Sequence, residues 1–330
     1  MSQSLPSTPD PLSLRNWSRW FADARQVQRG IVAAIVAGLA AWYVVRLAAI
    51  MPNYGTDFDP IRYAAKLVLR GENPYPIIGP GREVPWQFPL LYPMPAVVLA
   101  IPFTAVSIVV ARAVFVALSS GLLAFAVTRR AWWPLVVFFS ASWVESAGVA
   151  QWSPWMLASW YIAALGFVVA AKPNIGLAVL AGGRGWKSAV IGSVLLLAIS
   201  FILLPRWPLD WLHEIRSQPH IRPLVFHWLG IPLLIAGLRW RDPRARLLLA
   251  LALVPQNPAL YEAVLLFAIP TTALHATLLA LLSWGVDWVA GPMGRTNAIL
   301  LCCYLPALAM LMVPNRRRVT GDDNAADAPE

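Results

Sequence analysis

GIVAAIVAGLAAWYVVRLAAIM, residues 30–51, is the first long apolar run of the chain, and the polar segment PNYGTDFDPIRYAAKLVLRGENPYP, residues 52–76, follows it directly. A helix needs about 20 mostly apolar residues to cross the hydrocarbon core of a bilayer. We therefore predict a first membrane span over residues 30–51. Four arginines lie in the polar residues 1–29 before it, and by the positive-inside rule they place this tail in the cytoplasm. Residues 52–91 then form an outer loop.

The composition indicates a bilayer environment for the whole chain. Hydrophobic residues make up 58% and charged residues only 13%, whereas soluble domains carry about 25% charged residues. The net charge of +10 could suggest nucleic-acid binding. However, the basic residues occur in short clusters between apolar runs, as in cytoplasmic loops of membrane proteins. The sequence therefore predicts an all-α integral membrane protein in contact with membrane lipids and with no nucleic-acid partner.

Further apolar runs extend the predicted membrane domain over residues 30–314, with roughly ten to twelve helices. The segment 93–127 is too long for one helix, so we expect a hairpin with its turn near residues 105–112. Lys172-Pro173 and Pro255–Pro258 interrupt later runs, and such breaks occur at membrane depth only where they are buried or line a cavity. Residues 205–223 form a second outer loop, and residues 315–330 form a disordered cytoplasmic tail. One inconsistency remains, since two crossings in 93–127 place Arg129 and Arg130 outside, against the rule.

The first outer loop contains a predicted amphipathic helix over residues 60–70. The apolar face carries Ile61, Ala64, Ala65 and Val68, and the opposite face carries Arg62, Lys66 and Arg70. Asp59 at the N-cap, Pro60 at the first helical position and Gly71 at the C-terminal end are typical boundary residues. Such a helix is expected to lie on the membrane surface. Asp57 has no comparable structural explanation, so it is either a solvated loop acid or a functional carboxylate.

A series of short motifs extends this pattern through residues 30–290. Its members are Asp57-Phe58, Tyr63-Ala64-Ala65, Gly71-Glu72-Asn73-Pro74-Tyr75, Tyr92-Pro93, Ala150-Gln151, Lys172-Pro173, Pro255-Gln256-Asn257-Pro258 and Tyr261. Their order resembles that of GT-C glycosyltransferases, and is most similar to glycosyltransferase family 87, the polyprenyl-phosphate-mannose-dependent mannosyltransferases. The chain departs from the family in having Ala150 where a glycine is usual, a short interval from Gln151 to Lys172, and no Trp or His in the late turn.

The resemblance implies a GT-C-like bundle and an inverting sugar transfer, with mannose as the favoured sugar, from a polyprenyl-phosphate donor to a lipid or glycan acceptor. It places the reaction on the outer face of a bacterial inner membrane and requires no cofactor. Asp57 corresponds to the catalytic base and Lys172 to a contact for the donor phosphate. The remaining candidates for substrate contacts are Asp59, Tyr75, Tyr92, Gln151, Asn257 and Tyr261.

Simpler interpretations remain open for several of these residues. Lys172 is equally typical of a lysine that extends to the membrane surface, Gln151 of a helix cap, and Tyr75 and Tyr92 of the interfacial aromatic belt. Phosphate binding is also conceivable for Arg62, Lys66 and Arg82, although a solvated face is the commoner role for such residues.

Glu145 and Glu262 lie in or near apolar runs, where an unpaired charge is costly. Each is therefore expected to face a cavity or to pair with an arginine. His213, His220 and His227 are too far apart for one helical turn, and the adjacent Cys302 and Cys303 offer no metal-ligand spacing, so we predict no metal site. The alternative functions are a transporter or lipid flippase, which needs paired intramembrane charges, and a non-catalytic membrane subunit.

Overall fold

A computed structural model describes residues 14–183, 186–218 and 221–313, with side chains from Ala24 onward. Of the described residues, 74% are helical, and the β-structure among them is one short parallel pair and one isolated bridge. The α-helices are α1 (Leu14–Ile50), α2 (Phe58–Leu69), α3 (Met94–Ala100), α4 (Ile108–Val127), α5 (Ala141–Gly148), α6 (Ser153–Tyr161), α7 (Pro173–Ala181), α8 (Trp186–Leu203), α9 (Trp207–Arg216), α10 (Pro243–Leu253), α11 (Ala273–Met293), α12 (Arg295–Ile299) and α13 (Leu305–Met312). The 3₁₀ segments are Ile101–Ala105, Trp133–Phe139, Ala163–Ala171, Leu224–Phe226, Ile231–Arg239 and Leu260–Ala268, Leu300–Tyr304 is a π-helical turn, and β1 (Ile78–Gly79) pairs with β2 (Val84–Pro85).

Five helical segments in the described part of the chain are long and apolar enough to cross a membrane. They are Ala24–Ile50, Ile108–Val127, Trp186–Leu203, Ala273–Met293 and Arg295–Met312. The protein is therefore an all-α membrane protein, as its composition predicts. The other apolar runs are divided into shorter pieces. For example, α6, Ala163–Ala171 and α7 follow one another with breaks between them.

Helix α1 is longer than the predicted span, because it begins at Leu14 and continues to Ile50 without a break. Much of the segment predicted as an N-terminal tail is therefore helical. Residues 1–13 and the predicted tail 315–330 lie outside the described residues, as does His220.

The predicted hairpin in 93–127 turns at Val106–Ser107, as expected, but only its second arm runs along α1. The first arm, α3 with Ile101–Ala105, packs on α2 instead. Helix α4 returns antiparallel to α1, so that the Arg29 guanidinium donates to the Phe125 carbonyl at 2.6 Å. Arg129 and Arg130 follow Phe125 and thus lie at the same end of the bundle as Arg29. The expectation that they lie at the opposite end was wrong, because 93–127 was counted as two crossings.

Polar contacts between distant segments define the two ends of the bundle. At one end, Arg246 from the start of α10 donates to the carbonyls of Ala181 and Gly182, at 2.6 and 3.3 Å. We call this the basic end. At the other end the two predicted outer loops are joined, since Asn73 donates to Asp210 at 2.8 Å and Arg82 pairs with Glu214 at 2.9 Å. The predicted second outer loop is itself largely helical, because it contains α9.

Candidate active site

The start of α2 separates the two acidic residues of the first loop. The helix begins at Phe58, which puts Asp57 at the N-cap position without a side-chain cap hydrogen bond. Asp59 is the second residue of the helix, and its carboxylate accepts from Thr56, at 2.7 Å from the backbone N–H and 2.8 Å from the hydroxyl. This contact is similar to the return half of a capping box, in which a first-turn side chain accepts from a backbone N–H at the helix start. Asp59 therefore stabilises the helix start, but the prediction that it is the N-cap residue was wrong.

Asp59 also forms a buried ion pair with Arg112 of α4. The guanidinium contacts both carboxylate oxygens, at 2.8 and 2.5 Å. Phe58 and Phe115 stack beside the pair with ring centroids 4.4 Å apart. These contacts occupy both oxygens of Asp59, and the residue does not line the cavity described below. Its expected contact with substrate is therefore absent from this arrangement.

The apolar face of α2 is buried as predicted, with Ile61, Ala64 and Ala65 fully inaccessible. Arg62 was expected on the solvated face but is only 4% exposed. Its guanidinium donates to the carbonyls of Phe103 and Val106 at the end of the first hairpin arm. Neither carbonyl lies in an α-helix, so both need hydrogen-bond donors from elsewhere. This explains why an arginine is buried there. Gly71 ends the segment with φ +78°, as expected for a glycine stop.

Helix α5 ends in a Schellman motif that directs Gln151 toward Asp57. The N–H of Gln151 donates to the Ser146 carbonyl at 2.9 Å, and the N–H of Ala150 donates to the Ala147 carbonyl at 3.2 Å. This motif requires a left-handed residue, usually glycine, just after the helix. Ala150 occupies that position with φ +51°. The left-handed backbone favours glycine at this position, so alanine is accommodated at some cost.

Gln151 is the centre of the polar network. It is 1% exposed, and its Nε2 donates to Asp57 Oδ2. Its Oε1 accepts from the Tyr92 hydroxyl at 3.3 Å and from Lys172 Nζ at 3.4 Å. In addition, the Asp57 backbone N–H donates to the Val149 carbonyl at 3.0 Å. One amide side chain thus connects three residues that the sequence singled out separately.

Lys172 lies at the predicted break, between Ala163–Ala171 and α7, and its Nζ forms an ion pair with Glu262. The other Glu262 oxygen accepts from the Ser153 hydroxyl at 2.9 Å. Lys172 Nζ also lies 5.0 Å from the centre of the Tyr261 ring. Glu262 was expected to face a cavity or to pair with an arginine. It lines the cavity described below, and its partner is a lysine.

These residues border a cavity of about 470 Å³ at the loop end of the bundle, opposite the basic end. Its polar floor contains Asp57, Lys172, Tyr92, Tyr261 and Glu262, and its walls are mainly apolar and aromatic. The wall residues include Trp86, Phe88, Leu90, Leu91, Leu177, Trp211, Ile215, Ile221 and Val254. The shape and composition fit a small-molecule site, which is typically concave and apolar with a few placed polar groups.

The remaining predicted contacts divide between the cavity and its surroundings. Asn257 lines the cavity. The chain break that carries it is tied to α7, because the Asn174 amide donates to the Pro255 carbonyl at 3.0 Å. Tyr75 lies behind the wall, 1% exposed, and its hydroxyl donates to the Tyr92 carbonyl at 3.1 Å. Tyr75 therefore supports Tyr92 and does not border the cavity.

Arg82, another candidate for phosphate binding, does not line the cavity. Its pair with Glu214 joins the two loops, and it also donates to the Tyr75 carbonyl at 2.5 Å within the first loop. Glu145 pairs with Arg295, as expected for an acid in an apolar run. No group of three or more His, Cys, Asp and Glu residues in the described part of the chain is placed to hold a metal ion.

The cavity floor changes the acidity of Asp57. Burial raises the pKa of its carboxyl above the ordinary aspartate range, and this is the largest effect. The charge of Lys172 and hydrogen bonds from Gln151 and Tyr261 lower the pKa in part. A carboxylate with a raised pKa and a lysine close by is the kind of group that serves as a general base.

Sequence reasoning did not connect Glu262 with Lys172 or place Trp211 in the cavity wall. An acid within an apolar run marked Glu262 as unusual, but its partner is 90 residues away and could not be identified from spacing. Comparison with protein-family models, curated proteins and solved structures gives no match. The site is therefore interpreted from its own geometry and from the motifs in the sequence.

Proposed function

We propose that this protein is a membrane glycosyltransferase that moves a sugar from a polyprenyl-phosphate donor to a hydroxyl of a lipid or glycan acceptor. The observation that carries the proposal is the meeting of Asp57, Lys172 and Tyr261 at one cavity, where the buried Gln151 contacts both Asp57 and Lys172. They come from four separate segments, and each belongs to one of the motifs that resemble glycosyltransferase family 87. The resemblance favours mannose as the sugar.

The chemistry follows from the positions of the charged groups. Asp57 takes the proton of the acceptor hydroxyl as the hydroxyl oxygen attacks the anomeric carbon of the donor sugar. The bond from that carbon to the phosphate oxygen breaks, the configuration inverts, and polyprenyl phosphate leaves with the bonding electrons. Lys172 stabilises the negative charge of the phosphate, and Gln151 orients the base. General-base catalysis typically contributes about 10²–10⁴-fold to the rate.

The same proposal includes a GT-C-like bundle of about ten to twelve membrane helices and an orientation. Arg29, Arg129, Arg130 and Arg246 lie at the end opposite the cavity, and basic residues favour the cytoplasmic side. The cavity then opens on the outer face of a bacterial inner membrane, where a lipid-linked sugar presents its headgroup.

A transporter or flippase is the second candidate, and the buried Lys172–Glu262 pair in the cavity favours it. Intramembrane ionisable pairs often mark transport pathways. The two functions make opposite demands, because transport needs the pair and has no use for a base at Asp57.

The test is sugar transfer by purified protein in nanodiscs, with radiolabelled polyprenyl-phosphate-mannose as donor and a lipid extract as acceptor. Asp57→Asn keeps the shape and the contact with Gln151, so we expect transfer to fall by about 10²–10⁴-fold with intact folding. Asp59→Asn serves as the matched control and should retain measurable transfer per folded molecule. Full activity of Asp57→Asn would place the base elsewhere. An inactive wild type with mannose, arabinose and glucose donors would favour the transporter or a non-catalytic subunit.

A further inference from the structure

Specific polar contacts hold both carboxylate oxygens of Glu262 in place. It is 1% exposed, and its two carboxylate oxygens have different partners, Lys172 Nζ and the Ser153 hydroxyl. Ser153 is itself fully buried at the start of α6. A carboxylate at this depth requires such partners, because an unpaired buried charge is strongly unfavourable.

The side chains of the Lys172–Glu262 pair differ in how far they are exposed. The Lys172 side chain is 16% exposed and that of Glu262 only 2%, so the ammonium is the more accessible partner. An ammonium group has three donor hydrogens. Glu262 and Gln151 occupy two of them, the latter at 3.4 Å. One hydrogen therefore remains for a ligand that enters the cavity.

The charge balance limits how strongly this cavity can hold an anion. Its ionisable lining among the described residues comprises Asp57, Glu262 and Lys172, with Tyr92 and Tyr261 beside them. With both acids ionised the net charge is −1. A phosphate that contacts Lys172 therefore meets a cation already neutralised by Glu262.

We infer that Glu262 is a positioning residue for Lys172 and a built-in counter-ion that keeps the affinity for the phosphate group low. This inference rests on the proposed function, in which a lipid phosphate is both part of the donor and the leaving group. The counter-ion holds the ammonium at the cavity floor while the site is empty. After transfer it weakens the hold on the phosphomonoester product, which carries more negative charge than the donor phosphodiester, and so favours product release.

The experiment measures binding of a polyprenyl monophosphate of fixed chain length to the protein in nanodiscs. The uncharged polyprenol of the same length reports binding of the chain alone. Glu262→Gln keeps the size of the side chain and an acceptor for Ser153 but removes the charge. We expect it to bind the monophosphate roughly 10-fold more tightly, which corresponds to about 1.4 kcal/mol, with no change for the polyprenol.

Three further variants separate the counter-ion from a general effect on folding. Glu262→Gln should give a smaller gain in a Lys172→Met background, because the part of the effect that acts through the Lys172 charge is lost there. Glu262→Asp keeps the charge but withdraws it by one methylene, so it should give a smaller gain and remains informative if Glu262→Gln does not fold. Glu145→Gln removes an acid that pairs with Arg295 outside the cavity, and it should bind like wild type.

Enzyme kinetics give a second readout in active protein. Tighter product binding should lower kcat and KM together in Glu262→Gln, a combination that a loss of folded protein does not produce. Unchanged or weaker binding of the monophosphate by both Glu262 variants would overturn the inference and leave the glycosyltransferase proposal standing. Tighter binding by Glu262→Gln with no sugar transfer by wild type would support the counter-ion and reject the enzyme.

Discussion

Asp57 and Asp59 are two residues apart and chemically identical, yet the fold gives them opposite surroundings. Asp59 points into the bundle, where Thr56 and Arg112 satisfy both of its oxygens. Asp57 borders the cavity with a neutral amide as its main partner and a pKa raised by burial. Asp59 has a guanidinium as its partner, whereas the main partner of Asp57 is uncharged. The comparison indicates that Asp59 contributes to stability and Asp57 to chemistry.

The largest expected effect is on stability, from breaking the Asp59–Arg112 pair. Removal of one partner of a buried ion pair typically costs about 3–5 kcal/mol, since the other charge remains buried. We therefore expect Asp59→Asn and Arg112→Met each to lower the free energy of unfolding by about that amount. Asp57→Asn should leave it unchanged or raise it. Thermal unfolding in detergent, at one pH for all variants, provides the measurement.

The double variant Asp59→Leu/Arg112→Met controls for the loss of the pair as such. It removes both charges and should recover part of the stability, because no buried charge remains unpaired. If Asp57→Asn lost as much stability as Asp59→Asn, the division of roles between the two acids would be refuted.

The pH dependence tests the same comparison at Asp57 alone. The base works only when ionised, so transfer should be lost as pH falls through its pKa. Burial raises this pKa above the ordinary value of about 3.9. The acid limb of the pH profile, where kcat/KM falls, should therefore lie at a higher pH than for an exposed aspartate. Gln151→Leu removes a donor to the ionised form, and we expect it to move the limb to still higher pH.

Stability should change with pH in the opposite sense to activity. The raised pKa means that protonated Asp57 favours the folded state. This contribution is full below about pH 3.9 and is lost as pH rises through the folded pKa. Asp57→Asn should therefore remove this contribution to the pH dependence of the free energy of unfolding. An unchanged pH dependence would show that the contribution does not come from Asp57.

The smallest expected effect is at the motif that supports Gln151. Ala150 has a left-handed backbone, which costs a residue with a side chain about 1–2 kcal/mol relative to its usual conformations. Glycine avoids this cost, but it loses more conformational entropy on folding, which lowers stability by about 0.5–1 kcal/mol. We expect Ala150→Gly to stabilise the protein by up to about 1 kcal/mol in the same unfolding assay. Ala147→Gly, in the regular part of α5, is the matched control and should destabilise.

Several features of the site were predictable because they depend on neighbours in sequence. The amphipathic pattern of residues 60–70 predicts the buried face of α2, and Gly71 predicts its end. The breaks at Lys172-Pro173 and Pro255–Pro258 lie where proline disrupts helical backbone. Five of the eight residues that the resemblance named line one cavity, whereas Asp59, Tyr75 and Gln151 do not. The chemistry that the resemblance implies remains a prediction. The predicted surroundings of Asp59 and Arg62 were wrong, because helix rules do not consider distant partners. Arg112 of α4 pairs with Asp59, and the carbonyls of Phe103 and Val106 accept from Arg62.

The sequence by itself determined that this chain is an α-helical membrane protein, since apolar runs of membrane length and few charges leave no other solvent for it. It also determined the interruptions at Lys172-Pro173 and Pro255–Pro258, because proline acts locally. The tertiary structure alone decided which charges meet. Lys172 and Glu262 are 90 residues apart and Arg112 and Asp59 are 53 apart. A buried charge must find a partner, but the sequence does not say which of several basic residues folding will bring within reach.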